Sequence, residues 1–285
     1  MYYSPVDSLS EPQLAHMPRN PPLPDNGATD SPALSIVITI VSGARHLEDC
    51  LRALLDQEDC DRDGIEIIVP FDEQDRDIRS LAPGFPEVIF HATRMTVDAP
   101  AWLSHEHFDE LRSVGLQLAR GKIVALLVDH ETPARDWCRK MLEAHTQPHA
   151  AIGGAVENRI DRPVNWATYF FDFGRYQNPV KPGPSRFLTD VNIAYKRHAL
   201  DSIRQVWEQR FHEPHVHGAL LANGETLWLS PDIIVHQNRL ELTFPEVIRE
   251  RHVWGRYFAG NRVAGKGLPW RAVYCVLSPA IPLII

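Results

Sequence analysis

Four apolar stretches separated by helix-like spacing constrain this chain more than any other feature. Ala33–Val41 (ALSIVITIV) is a continuous, β-branched run, the pattern of a strand buried on both faces in a parallel sheet. Leu47, Cys50, Leu51, Leu54 and Leu55 then recur at helical spacing, and Ile65–Val69 (IEIIV) is a second buried strand. Val88–His91 reads as a third strand. Phe108, Leu111, Val114, Gly115 and Leu118 mark a helix stopped at Arg120-Gly121. Lys122–Val128 (KIVALLV) is a fourth strand, and Trp137, Met141 and Leu142 open another helix. Strand and helix in alternation predict an α/β fold, a mostly parallel central sheet flanked by helices and joined by right-handed crossovers. Ligands bind such sheets beyond the carboxyl ends of the strands. That expectation selects the loops Ser42–Arg45, Phe71–Asp75 and Asp129–Thr132, two of which carry carboxylates suited to a cation or a nucleotide.

The second half is less regular. Ala150–Val156 is strand-like, Asn165–Tyr176 (NWATYFFDFGRY) is aromatic, and Asp190–Arg197 is a strand leading into a short helix. Phe211–Ala222 is expected to be a helix closed by Asn223-Gly224, followed by two strands, Thr226–Leu229 and Ile233–His236.

The ends differ from this body. Residues 1–32 hold seven prolines and no apolar core of the length a secretory signal needs, and are read as a disordered, proline-rich leader. The ordered domain is expected over 33–240. The segment 241–285 is set apart; within it, from Arg249 on, Arg249, Arg251, Arg256, Arg262, Lys266 and Arg271 face only Glu250 as an acid, and the last 14 residues, Ala272–Ile285, carry no charge. That stretch is shorter than the roughly 20 residues of a bilayer span. A basic amphipathic helix beside an apolar tail that stops in mid-run is the pattern of a membrane-associating element, truncated from a longer protein. The bland alternative is a core helix with a packed tail.

Charge and cysteines exclude other classes. With 29 Lys and Arg against 37 Asp and Glu, the net charge is −8, opposite to that of a general nucleic-acid binder. The four cysteines form no CxxC pair, so neither a zinc ribbon nor a disulfide scaffold is expected, and a reducing compartment is the default.

Six segments in sequence carry a resemblance: Ser35–Ser42 (SIVITIVS), Glu66–Asp72 (EIIVPFD), Arg112–Gly121 (RSVGLQLARG), Ala125–Trp137 (ALLVDHETPARDW), Asn192–Arg197 (NIAYKR) and Phe211–Gly224 (FHEPHVHGALLANG). Their order and spacing over Ser35–His236 resemble the family 2 glycosyltransferases of the GT-A fold, of the bacterial polysaccharide-biosynthesis type. The resemblance implies an inverting enzyme that moves a sugar from a nucleotide-diphosphate donor to a glycan or lipid-linked acceptor, and the basic and apolar C-terminal stretch puts that reaction at the cytoplasmic face of the inner membrane. It implies a divalent cation, Mn²⁺ or Mg²⁺, because the departing diphosphate needs charge neutralisation. Asp129 and Glu131, two apart after a buried strand, fall where the family holds that cation. The family's acidic triplet here reads Asp129-His130-Glu131, and a His ligand would favour Mn²⁺. Asp72 falls beside the nucleotide base, with Phe71 where a second acid is common. Ile38 and Thr39, near the end of the first strand, are also assigned to the nucleotide.

Further roles follow from the same resemblance. Arg112 lies where a basic residue approaches the diphosphate. His236 lies where a late-strand His reaches the metal or diphosphate, and Asn192, with Tyr195 and Arg197, matches the acceptor-side strand. Trp166 and Tyr169 can stack on sugar faces, though their helical spacing equally fits core packing. His212-Glu213 opens a helix ahead of Gly224 in the position of the family's acidic pair. Glu213 is thereby the general base and Glu208 its reserve. His130 and His212 in place of acids leave a non-catalytic nucleotide-sugar-binding relative, acting as an assembly partner, as the alternative. The cluster His212, Glu213, His215, His217 lacks the HExxH register of a zinc hydrolase. No GxGxxG follows the first strand, as a dinucleotide oxidoreductase would require.

Overall fold

The computed structural model describes residues 31–96, 105–240, 242–263 and 266–277. Nearly all of the leader and the last residues of the apolar tail lie outside them. The chain order is β1 (Leu34–Thr39), α1 (Ala44–Leu55), β2 (Ile65–Asp72), α2 (Arg76–Leu81), β3 (Val88–Thr93), α3 (His105–Leu118), β4 (Ile123–Val128), β5 (Glu131–Pro133), α4 (Trp137–Ala144), β6 (Ala151–Asn158) and α5 (Pro163–Phe173). Then come β7 (Gly183–Pro184), β8 (Asn192–Lys196), α6 (Arg197–Ser202), α7 (Arg204–Trp207), α8 (Glu213–Ala222), β9 (Leu227–Gln237), α9 (Phe244–Val263) and α10 (Leu268–Leu277).

One sheet in the order β3-β2-β1-β4-β8-β6-β9-β5 organises the molecule, with β7 on β9. The four strands β3, β2, β1 and β4 are parallel. Strand β8 runs antiparallel to both β4 and β6, and β6 is again parallel to β9. The expected mostly parallel α/β sheet is present. Every residue of β1 is buried, as its unbroken apolar run requires. Because the strand alternates faces, Ile36 and Ile38 meet Leu47, Leu51, Trp137 and Met141 on one side. Val37 meets Leu116, Leu126, Trp207, Phe211 and Leu220 on the other.

Two expected strands are one. Thr226–Leu229 and Ile233–His236 join into the 11-residue β9, whose register on β6 shifts between Gly153 and Ala155. A Cβ on Gly154 would lie 2.0 Å from the Ile233 carbonyl oxygen and 2.3 Å from Asn192 Nδ2. Only glycine fits this crossing of strands. The helix expected from Phe211 starts at Glu213. Pro214 in its first turn has no N–H to give, and proline is tolerated only there.

Helix α9 is less free than its basic composition implied. Arg251 pairs with Asp172 of α5 and lies over the Trp254 ring at 4.3 Å, and Glu250 pairs with Arg239 at 2.5 Å. By contrast α10 buries none of its residues: Leu268, Trp270 and Val276 are 84%, 58% and 77% exposed. Among the described residues no helix is long and apolar enough to cross a membrane.

Candidate active site

The carboxyl ends of β1 and β4 are tied together by Asp129. Its backbone N–H donates to the Thr39 carbonyl at 3.0 Å, and its Oδ2 accepts the Ser42 and Gly43 N–H groups, each at 2.7 Å. Gly43 adopts φ 101°, left-handed backbone that glycine supplies without strain. The other oxygen, Oδ1, faces His130 Nδ1 at 3.3 Å but makes no hydrogen bond. His130 Nδ1 also lies 2.9 Å from Ser42 Oγ, and its Nε2 lies 3.9 Å from Glu131 Oε1. Burial lowers the His130 pKa, so the ring is neutral.

Glu131, paired with Gln237 across β5 and β9, is fully buried, and neither of its oxygens has a hydrogen-bond partner. Burial pushes its pKa up, the Arg239 charge opposing and Asp129 adding to the rise. A buried carboxylate without partners costs several kcal/mol. Three orphaned oxygens around one imidazole therefore fit a divalent cation. Among the described residues no group of three or more His, Cys, Asp or Glu side chains is placed to hold a metal ion by itself. Two carboxylates completed by substrate phosphates and water are instead the usual open arrangement for such an ion.

A second acidic centre lies around the start of α8. Glu213 keeps 23% of its side chain exposed. Its Oε2 accepts the Asp190 N–H at 3.0 Å, and its Oε1 is 3.7 Å from His217 Nδ1. Burial raises its pKa well above the usual range and the Asp190 charge raises it further, against a pull from Arg112. That is the direction a base working near neutral pH requires.

Asp190 is held by Arg112 Nη2 at 2.7 Å, and Arg112 Nη1 reaches Asp109 Oδ1 at 3.2 Å. Asp109, almost fully buried, also accepts the Tyr257 hydroxyl at 2.5 Å, and the His105 ring stacks on Tyr257 at 4.7 Å. Burial raises the Asp109 pKa. Hydrogen bonds from His105 and His212, with the His105 and Arg112 charges, overcome this and hold the carboxyl well below the ordinary range. Helix α9 is thus clamped onto α3 and α8.

Several expected site residues have other duties. Ile38 and Thr39, the last two residues of β1, have fully buried side chains that face the interior of the fold rather than a nucleotide. Arg112 is 4% exposed and spent on Asp109 and Asp190; it binds carboxylates rather than a diphosphate here. Asn192 is fully buried. It accepts the Trp137 Nε1–H at 2.9 Å and donates to the Ala155 and Ile233 carbonyls at 2.9 and 3.0 Å, so its polar atoms are used up inside the fold and none faces an acceptor. His236 pairs with Thr132, next to Glu131, so strand alternation puts it on the opposite face, with Glu157 at 3.7 Å. It does not join the acidic pair. Trp166 is half-buried, its indole N–H donating to Asp161 at 2.9 Å and its ring stacked on the exposed Phe170.

Asp72 sits at the end of β2, separated from β4 by β1, with its Oδ1 accepting the Gln74 N–H. Asp75, in the same loop, caps α2 through the Asp77 and Ile78 N–H groups. The residues that sequence reasoning missed are Asp190, Asp109 and Tyr257. A charged Asp109–Arg112 pair three apart on a helix otherwise facing the core was the one available signal; Tyr257, 148 residues from Asp109, left none.

Residues 108–204 match the family described as Glycosyl transferase family 2. No curated protein matches by sequence. The fold is similar to the mannosyltransferase PcManGT from Pyrobaculum calidifontis, solved with GDP-Man and Mn²⁺. The TM-score is 0.53 at 18% identity, over 84% of this chain and 66% of that one. It is also similar to S. aureus TarS 1–349, solved with UDP-GlcNAc, with a TM-score of 0.53 at 11% identity, over 74% of this chain and 59% of that one. The chain thus spans about two thirds or less of the length of these structures. The matched segment carries Asp129 and Glu131 at the strand end that the sheet leaves open for a ligand. Residues 108–204 are thus similar to the family 2 glycosyltransferases, and the α/β architecture is similar to that of these two glycosyltransferase structures.

Proposed function

We propose that this chain transfers a sugar, with inversion, from a nucleotide-diphosphate donor to a glycan or lipid-linked acceptor in cell-surface polysaccharide synthesis. The observation that carries the reading is the set of three buried carboxylate oxygens without partners, Asp129 Oδ1 and Glu131 Oε1 and Oε2, at the carboxyl end of β4. Asp129 and Glu131 would hold a divalent cation, Mn²⁺ or Mg²⁺, which when bound neutralises charge on the departing diphosphate. The backbone N–H groups of Ser42 and Gly43 fix the Asp129 carboxylate, so its free oxygen is aimed before the donor arrives. Asp72, at the end of β2, would contact the nucleotide base. Glu213 takes the proton from the acceptor hydroxyl, its carboxylate held by the Asp190 N–H. The two similar structures hold GDP-Man with Mn²⁺ and UDP-GlcNAc, which supports a nucleotide-sugar donor.

The exposed Leu268, Trp270, Val273, Val276 and Leu277 of α10, with Lys266 and Arg271, support peripheral attachment to the cytoplasmic face of the inner membrane. Such attachment predicts sedimentation with anionic vesicles at low salt that weakens as salt rises. Failure to sediment would remove that part of the reading.

The deciding experiment is a donor screen with UDP-, GDP- and dTDP-sugars and Mn²⁺, following nucleotide release. One donor should turn over, and Asp129→Ala and Glu213→Gln should each abolish or cripple the release. Glu213→Gln should lower the rate by about 10²–10⁴, the usual worth of general base catalysis. Donor binding without turnover under every condition would turn the reading to a non-catalytic nucleotide-sugar binder.

A further inference from the structure

Glu213 has a partner on its own helix that the family resemblance does not supply. His217 lies one turn further along α8, on the same face, and is 2% exposed. Its Nε2 is 3.0 Å from the hydroxyl of Tyr195. Its Nδ1 makes no hydrogen bond and faces Glu213 Oε1 at 3.7 Å. Tyr195 is fully buried on β8, with its ring edge-on to Phe211.

A neutral imidazole has one N–H, and the partner of one nitrogen decides which nitrogen carries it. Burial brings the His217 pKa down to about 3, so the ring is neutral at working pH. Burial, with the charges of Glu213 and Asp190, keeps the Tyr195 phenol protonated. A phenol donating to Nε2 leaves the imidazole proton on Nδ1, which is the nitrogen turned toward Glu213. Oε2 of the same carboxylate already accepts the Asp190 N–H. The carboxylate therefore accepts one hydrogen bond, at Oε2 from the segment before β8, and its Oε1 faces the His217 Nδ1 of α8 across 3.7 Å.

We propose that His217, with its tautomer set by Tyr195, is a positioning residue for Glu213, aiming one N–H at Oε1 so that the carboxylate keeps its plane and its ionised form. The inference rests on the reading of Glu213 as the base. The other groups facing Glu213 are Asp190, Arg112 and Asp109, with the Tyr176 hydroxyl. Asp190 and Asp109 oppose ionisation and Arg112 favours it, so the His217 N–H adds to the minority that stabilises the charged base. The energetic logic is that of an outer-shell carboxylate–histidine pair, in which a partner fixes orientation and basicity without touching substrate.

Two measurements test it. The first needs no substrate: in the ¹⁵N spectrum of His-labelled protein, with the signal assigned by its loss in His217→Asn, Nδ1 should carry the proton and Nε2 should be bare between about pH 6 and 9. A proton on Nε2 overturns the proposal whatever Glu213 does. The second follows the pH dependence of kcat/KM for nucleotide release, using whichever of the UDP-, GDP- or dTDP-sugars turns over. His217→Phe keeps the ring and removes the N–H; the acid limb should move up by about one pH unit, with KM for the donor unchanged. Tyr195→Phe should move it less, in the same direction. His217→Asn, which keeps an N–H near the Nδ1 position, should restore much of the limb and shows that the site tolerates a change. An acid limb that stays in place while kcat falls equally at every pH would make His217 a packing residue only. Normal turnover in Glu213→Gln, run in parallel, would overturn the base assignment itself, so the two failures are distinguishable.

Discussion

Replacing Asn192 separates a structural role from a substrate-facing one. Its side chain accepts from Trp137 Nε1 at 2.9 Å and donates to the Ala155 and Ile233 carbonyls at 2.9 and 3.0 Å. Those carbonyls belong to β6 and β9 where the register shifts and the ladder between them is broken. Asn192→Ala orphans one buried donor and removes a partner from two buried carbonyls, and each orphaned group costs about 1–3 kcal/mol. Taking the lower part of that range, because a short side chain lets the strands relax, the loss is about 3–5 kcal/mol. That is a large share of a domain stability of about 5–15 kcal/mol. In urea, with a slope near 3 kcal/mol/M, the unfolding midpoint should fall by about 1–1.7 M at unchanged slope. Asn192→Asp keeps the acceptor for Trp137 but sets a carboxylate against two carbonyls. It should be worse at neutral pH and partly recover in acid, where the introduced carboxyl can donate one hydrogen bond. Donor turnover by the folded fraction should survive both changes well below their melting temperatures. A midpoint within about 0.3 M of the parent, coupled to lost turnover, would refute this reasoning and return Asn192 to the acceptor side.

Three further outcomes are expected. Mn²⁺ should raise the melting temperature of the parent, by the equivalent of about 2.7 kcal/mol at a hundredfold excess over its dissociation constant. It should not raise that of Asp129→Ala or Glu131→Gln, whereas His236→Ala should keep the shift; loss of the shift in His236→Ala would put His236 back on the ion. Asp109→Asn should destabilise at neutral pH. Because the folded pKa of Asp109 is depressed, its contribution is present above the unfolded carboxyl value of about 3.9 and is lost as pH falls below it. The stability gap between parent and variant should therefore close on acidification, and a pH-independent gap measured by denaturation would contradict the network. Gly154→Ala should cost several kcal/mol, since its Cβ would meet the Ile233 carbonyl oxygen at 2.0 Å; a parent-like melting curve would show that β6 and β9 can part there.

What could be read in the residue order was whatever repeats locally. The runs that became β1, β2 and β4 announce strands because a strand covered on both faces needs an unbroken apolar segment. Glu213 was recognisable as the opening of a helix, with Pro214 tolerated only there. Asp129 and Glu131 were legible as a pair because the loop after a parallel strand opens at the ligand end of the sheet. The duties of single polar side chains were not legible, because their partners lie far along the chain. Asn192 spends its bonds on residues 37 to 55 positions away. Arg112 answers to Asp190 and Asp109 to Tyr257, 148 positions away. His236 is a neighbour of Glu131 in the register but faces the other side of the sheet. Periodicity reports which face of an element is buried. Which buried polar atom meets which depends on strand order, register and the shift at Gly154, and those exist only once the sheet has closed.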